Sequence, residues 1–162
     1  MVIRSAPASP LPTLSLPDED ATLALGAALA PRLAPGMVIA LRGELGAGKT
    51  TLVRGLLRAL GYEGRVKSPT YALVELYTVS RLDLYHFDFY RFHDPTAWND
   101  TGFRDIFDGR NVCLIEWPER AAGRLPPADL DIALEIGEQG RRATLTAGSP
   151  AGSRLLEALP PG

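Results

Sequence analysis

Residues 37–60 read MVIALRGELGAGKTTLVRGLLRAL, and this stretch decides the fold. Met37 to Leu41 is a short aliphatic run of the kind that makes a buried strand. Gly43 to Thr50 then matches G-x-x-x-x-G-K-[ST] at every fixed position. Leu52, Val53, Leu56, Leu57 and Leu60 follow at helical spacing, and Gly61 is placed to stop that helix. Strand, glycine loop and helix in this order form a phosphate cradle. Glycine lets backbone N–H groups of Glu44, Leu45, Gly46, Ala47 and Gly48 turn inward, and the helix start adds unpaired N–H donors and its positive dipole end. Lys49 supplies a compact cation for the β- and γ-phosphates, the Thr50 hydroxyl is a Mg²⁺ ligand, and Thr51 completes the loop. Lys and Arg together number 17, and only Lys49 and Lys67 are lysine. An otherwise arginine-rich chain keeps a lysine where a planar guanidinium would not fit.

At 162 residues the chain is long enough for one domain with a substantial core. Hydrophobic content of 46 % and charged content of 22 % are ordinary for a globular protein. A net charge of -2 provides no global basic field for nucleic acid. The one cysteine, Cys113, excludes an internal disulfide and a CxxC metal site, and its apolar neighbours mark it as a buried thiol. No apolar run reaches transmembrane length, and the N-terminus lacks the continuous apolar segment of a signal peptide. The expectation is a cytoplasmic protein without a membrane partner.

Working outward, residues 1–13 are Pro-rich and read as a mobile tail. Residues 14–147 read as one P-loop ATPase domain, and 148–162 as a tail or short helix. Leu14–Leu16 is a short strand, and Pro17–Asp20 opens a helix that runs to about Ala30. Downstream, 61–70 is loop, and 71–79 and 82–90 are β-rich runs joined near Ser80 and Arg81 as a hairpin. Residues 91–109 are loop and short helix, 111–115 a buried strand, and 130–136 with 141–147 a hairpin over a four-residue loop. The sum is α/β: a P-loop NTPase-like core whose mixed sheet is parallel around the P-loop with an antiparallel edge hairpin, and helices on both faces.

A P-loop enzyme needs a carboxylate near Mg²⁺, usually where a hydrophobic strand ends. Two strands offer one: Leu84-Tyr-His-Phe-Asp88 and Val112-Cys-Leu-Ile-Glu116. Asp88 and Glu116 fit equally, one in the metal shell and one at the attacking water; Asp83, at the start of its run, alternates toward the surface. Thr70, in Lys67-Ser-Pro-Thr70, stands either as a switch threonine that reaches Mg²⁺ and the γ-phosphate or as part of an ordinary Ser-Pro turn. Trp117 has three readings: base stacking, core packing or partner contact. His86 and His93 have no metal-ligand spacing and read as packed or surface residues. Arg91, Arg104 and Arg110 have two readings, phosphate or RNA contacts and, more commonly for scattered arginines, solvated surface; none stands out as an arginine finger.

Five segments together resemble one family: Gly43-Glu-Leu-Gly-Ala-Gly-Lys-Thr-Thr51, Val66-Lys-Ser-Pro-Thr-Tyr71, Tyr85-His-Phe-Asp-Phe-Tyr-Arg91, Gly102-Phe-Arg-Asp105 and Leu114-Ile-Glu-Trp-Pro-Glu119. They are similar, in this order, to the TsaE (YjeE) family, the P-loop ATPases of bacterial tRNA threonylcarbamoyladenosine (t6A) biosynthesis. The resemblance implies ATP or ADP with Mg²⁺ as cofactors and slow ATP hydrolysis. It implies TsaB and TsaD as partners in placing threonylcarbamoyl on N6 of adenosine 37 in tRNAs reading ANN codons, with tRNA touched indirectly or weakly. It matches Lys49 and Thr50 to the phosphate and Mg²⁺ residues, Thr70 to a switch threonine, Asp88 to the leading Mg²⁺ carboxylate, and Glu116 and Trp117 to a Glu-Trp pair beside the nucleotide. Two departures stand out. Phe89 replaces an expected Leu, and residues 96–100 are less acidic than is usual there. On the residues alone, a small-molecule P-loop kinase and a non-catalytic nucleotide-binding module remain the alternatives, with 91–110 as the kinase's lid.

Overall fold

The computed structural model describes residues 12–160. They form one seven-stranded sheet: β1 (Thr13–Leu16), β2 (Val38–Arg42), β3 (Val74–Val79), β4 (Leu82–Asp88), β5 (Val112–Glu116), β6 (Leu130–Ile136) and β7 (Arg141–Ala147), in the order β1-β7-β6-β2-β5-β4-β3. The central strands β6, β2, β5 and β4 run parallel, and both flanks are antiparallel. The sheet is therefore mixed around the P-loop strand as expected, and the two hairpins read from the sequence form its antiparallel flanks, with β1 added beside β7. Most of the expected tail, residues 1–11, lies outside the described residues. The strand begins one residue earlier than its expected start at Leu14, because Thr13 already pairs with Thr144.

The helices are α1 (Glu19–Leu29), α2 (Lys49–Ala59), α3 (Trp98–Thr101) and α4 (Pro150–Glu157). Asp18 caps α1 by accepting a hydrogen bond from the Ala21 N–H at 2.9 Å. Ser149 caps α4 by accepting from the Gly152 N–H at 3.1 Å, so the C-terminal segment takes the short-helix form. The amphipathic face of α2 buries Leu52, Val53, Leu56 and Leu57 against α1 and the sheet. Two glycines set the distance between these helices. A Cβ on Gly26 would sit 2.1 Å from the Leu52 carbonyl oxygen, and one on Gly55 2.1 Å from that of Leu23. That close crossing holds the P-loop helix in place.

Side-chain alternation gives the sheet two different faces. Ile39, Leu41, Leu84, Val112 and Leu114 point into the core shared with α1, α2 and α4. Val38, Phe87, Cys113 and Ile115 point to the other side, which α3 and short 3₁₀ turns cover. There Phe87, Phe89, Trp98, Phe103 and Phe107 stack ring on ring, with Phe87 and Phe103 centroids 5.3 Å apart and edge-to-face. Phe89, which stands where the resemblance implies a leucine, is fully buried in this cluster. Residues 91–110 are therefore the cover of the second face rather than an open lid. The hairpin of β3 and β4 turns at Ser80 and Arg81, as expected, and both have positive φ. Residues 71–73, expected as the start of its first strand, are a turn in which Leu73 takes φ 69°.

Candidate nucleotide site

The parallel strands bring their C-terminal ends to one rim, where open α/β sheets bind ligands. β2 runs into the glycine loop. Gly43, at φ +147°, passes so close to β6 that a Cβ would lie 2.6 Å from the Leu134 oxygen. Gly48, at φ +108°, takes the left-handed N-cap of α2 that a side chain would resist. Of the five buried polar or charged residues among those described, four gather here: Lys49, His86, Asp88 and Glu116. Buried charges persist only when paired or put to use, so this concentration marks the site.

Asp88 and Glu116 lie side by side in register across β4 and β5. Their parity puts both on the α2 face, and their neighbours differ. Glu116 Oε2 accepts from Thr50 Oγ1 at 3.0 Å and lies 2.6 Å from His86 Nε2. Asp88 Oδ2 accepts from the Ser68 hydroxyl and from Thr70 Oγ1 at 3.4 Å, and its Oδ1 accepts from the Tyr90 N–H at 2.8 Å. Asp83, by contrast, is exposed.

Lys49 is only 4 % exposed. Its ammonium donates to the Gly43 carbonyl and sits 3.8 Å from the centroid of the Trp117 ring. Burial holds its pKa below the ordinary 10.5, and the nearby Glu116, Asp88 and Glu119 charges offset part of that. Trp117 takes φ 57°, a left-handed geometry rare for a bulky residue, and this turn at the end of β5 aims its ring over the lysine. The ring therefore faces the P-loop cation, and it also packs against Tyr90, with centroids 4.9 Å apart.

Leu45, Gly46, Ala47, Gly48, Lys49, Thr50, Thr51, Ser68, Thr70, Asp88, Glu116 and Trp117 line one cavity of about 230 Å³. Every site residue expected from the sequence borders it except Glu44, which is exposed beside Leu45 on the loop. A larger cavity of about 440 Å³ adjoins it across Gly46–Gly48 and Thr51, bounded by Pro17, Thr22, Gly140 and Arg141. The chemistry belongs to the smaller one, because the buried lysine and both buried carboxylates line it. Sequence reasoning missed Arg141, whose guanidinium donates to the Gly46 carbonyl at 3.1 Å. It also missed the Ser68 bond to Asp88 and the His86 bond to Glu116. The spacing of His86 and Asp88, two apart on a strand, puts both on one face and would have brought His86 to the site without naming its partner.

One cation against two buried carboxylates leaves the cavity short of positive charge. Among the described residues no group of three or more His, Cys, Asp and Glu could hold a metal. A threonine hydroxyl beside a carboxylate suits Mg²⁺, which keeps waters and takes phosphate oxygens rather than an all-protein cage. Arg91, Arg104, Arg110 and His93 are all exposed, and Arg91 stacks on Tyr71 at 4.7 Å. Cys113 is buried as expected, its thiol pushed up to about 12 by burial and, less, by Asp108. No helix among the described residues is long and apolar enough to cross a membrane.

The family model for threonylcarbamoyl adenosine biosynthesis protein TsaE matches residues 16–144. The chain belongs to the TsaE family. The tRNA threonylcarbamoyladenosine biosynthesis protein TsaE of Haemophilus influenzae is 40 % identical over 152 residues, covering 91 % of this chain and 96 % of that one. Its namesake in Bacillus subtilis is 39 % identical over 126 residues, 77 % of this chain and 78 % of that one. The crystal structure of B. subtilis YdiB superposes with a TM-score of 0.77 at 32 % identity, over 90 % of each chain. The TsaE match runs from the end of β1 into β7 and so includes the whole cavity rim.

Proposed function

We propose that this TsaE-family chain is a Mg²⁺-dependent ATPase subunit that serves threonylcarbamoyl transfer to N6 of adenosine 37 in tRNAs reading ANN codons, as a nucleotide switch on TsaB and TsaD. The observation that carries it is the Thr50–Glu116 hydrogen bond formed in the same cavity as Lys49 and Asp88. That is the arrangement a Mg-triphosphate site needs. The glycine loop and Lys49, whose ammonium donates to the Gly43 carbonyl, would hold the phosphates. The adjoining larger cavity, between Pro17, Thr22 and Arg141, would take the base and ribose. Thr50 and Glu116 are the residues that would hold Mg²⁺, and the ion would supply positive charge against the phosphates. This order reverses the family resemblance, which puts Asp88 first, because only Glu116 is bonded to Thr50. Asp88 orients the attacking water and, through Ser68 and Thr70, reports on the loop they occupy. Slow turnover fits a smaller cavity whose lining holds no arginine: half-buried Arg141 donates to the Gly46 carbonyl and lines the larger cavity instead, so no guanidinium stands where a finger would act.

A kinase would need a lid that opens over an acceptor. Residues 91–110 instead commit Trp98 and Phe103 to the core, which favours the switch reading. The test pairs two measurements on the isolated chain and in extract. Phosphate release should require Mg²⁺ and vanish in Lys49→Ala, and ATP should raise recovery of TsaB and TsaD in a pull-down. Phosphorylation of a sugar or nucleoside, or nucleotide-independent recovery, would overturn the reading.

A further inference from the structure

His86 does not line the nucleotide cavity, yet it is wholly buried with one ring nitrogen against a carboxylate. It sits on β4 two residues before Asp88 and opposite Leu114, so it reaches diagonally to the end of β5. Its Nε2 lies 2.6 Å from Glu116 Oε2, the same oxygen that accepts from Thr50. Its Nδ1 is the only fully buried side-chain nitrogen or oxygen without a hydrogen-bond partner among the described residues. That pattern selects the tautomer with the proton on Nε2. A bare lone pair at Nδ1 is tolerable in an apolar core, whereas an N–H there would be an orphaned donor. His86 does not line the 230 Å³ cavity, and it touches the site only through Glu116.

We propose that His86 is the positioning residue of the Mg²⁺ carboxylate: its Nε2–H pins Glu116 Oε2 on the Thr50 side of the cavity. A glutamate has three side-chain torsions, and a charge-assisted bond from a fully packed ring removes that freedom. With Oε2 held by two donors, the carboxylate plane is set before Mg²⁺ arrives. Partners of metal ligands act in this way and are worth about 10- to 100-fold in metal affinity. This inference rests on the Mg-nucleotide reading above.

Three proteins test it: wild type, His86→Phe, which fills the space without a donor, and His86→Gln, whose amide nitrogen can stand where Nε2 stood. The probe is ADP, titrated with chelator present and then with Mg²⁺. His86→Phe should bind ADP without metal as wild type does and lose about 10- to 100-fold in apparent Mg²⁺ affinity; His86→Gln should recover most of it. Unchanged Mg²⁺ affinity in a folded His86→Phe would overturn the proposal. So would equal impairment of Gln and Phe, which marks a packing role. Should neither variant fold, ¹H–¹⁵N spectra of the wild-type imidazole decide. Nε2 should be protonated and Nδ1 bare before any metal is added, and the reverse tautomer would overturn the pinning. Failure of wild type itself to bind ADP with Mg²⁺ dependence would instead overturn the nucleotide reading, and is told apart by the wild-type titration alone.

Discussion

Asp88 and Glu116 end neighbouring strands, lie in register and share a cavity, yet they belong to different halves of the site. Glu116 is held by groups on regular elements: Thr50 at the start of α2 and His86 inside β4. Asp88 Oδ1 is held by the Tyr90 N–H just past its own strand, but its Oδ2 is held by Ser68 and Thr70, both on an irregular segment that continues into exposed Tyr71. On the proposed reading the difference separates two tasks, metal binding at Glu116 and loop sensing at Asp88. A metal ligand gains from being fixed in advance, and a sensor has to be bonded to something able to move.

The strongest way to break this comparison is on the loop side. Asp88→Asn should cut ATP hydrolysis by about 10² to 10⁴ as a water-orienting carboxylate is lost. ADP affinity should stay near wild type. Single-turnover phosphate release and ADP titration measure the two, and a parallel loss in both would place Asp88 in the fixed half. On the fixed side, Gly55→Ala forces a Cβ against the Leu23 carbonyl, and helices packed this closely give way at a cost of about 1–3 kcal/mol. Denaturant unfolding reads it; an unchanged midpoint would mean that α2 is not clamped. Thr70→Val removes one long bond to Asp88, so partner recovery with ATP should fall several-fold, in the range of about 1 kcal/mol for a hydrogen bond, with ADP affinity intact. The smallest effect is an absence: Cys113, inside fully buried β5 with its thiol pushed up to about 12 by burial, should resist iodoacetamide at pH 8. Labelling without denaturant would show that this half opens.

Much of the frame was legible because its signals are local. Helical spacing after the glycine loop placed α2, strand alternation placed the two hairpins, and apolar runs ending in Asp88 and Glu116 marked the rim. The long-range pieces were not legible. Nothing in Gly26 or Gly55 announces that two helix backbones cross there, since that depends on the partner helix. The ranking of the two acids depends on which side chain α2 brings to Thr50, a distance set by tertiary packing. His86 could have been read with Asp88 from their spacing of two, but only the diagonal reach across the β4–β5 pair shows that its partner is Glu116. Trp117 left three readings open, because its aim at Lys49 comes from a positive φ that no tryptophan advertises.

The division of labour is tested most directly by titrating Mg²⁺ into ADP-loaded Glu116→Gln and Asp88→Asn side by side. Glu116→Gln should lose most of its Mg²⁺ affinity, by about 10-fold or more for a metal-shell carboxylate, while Asp88→Asn stays near wild type. The reverse order, or equal losses in both, would contradict the assignment of the metal to Glu116 and of the loop to Asp88.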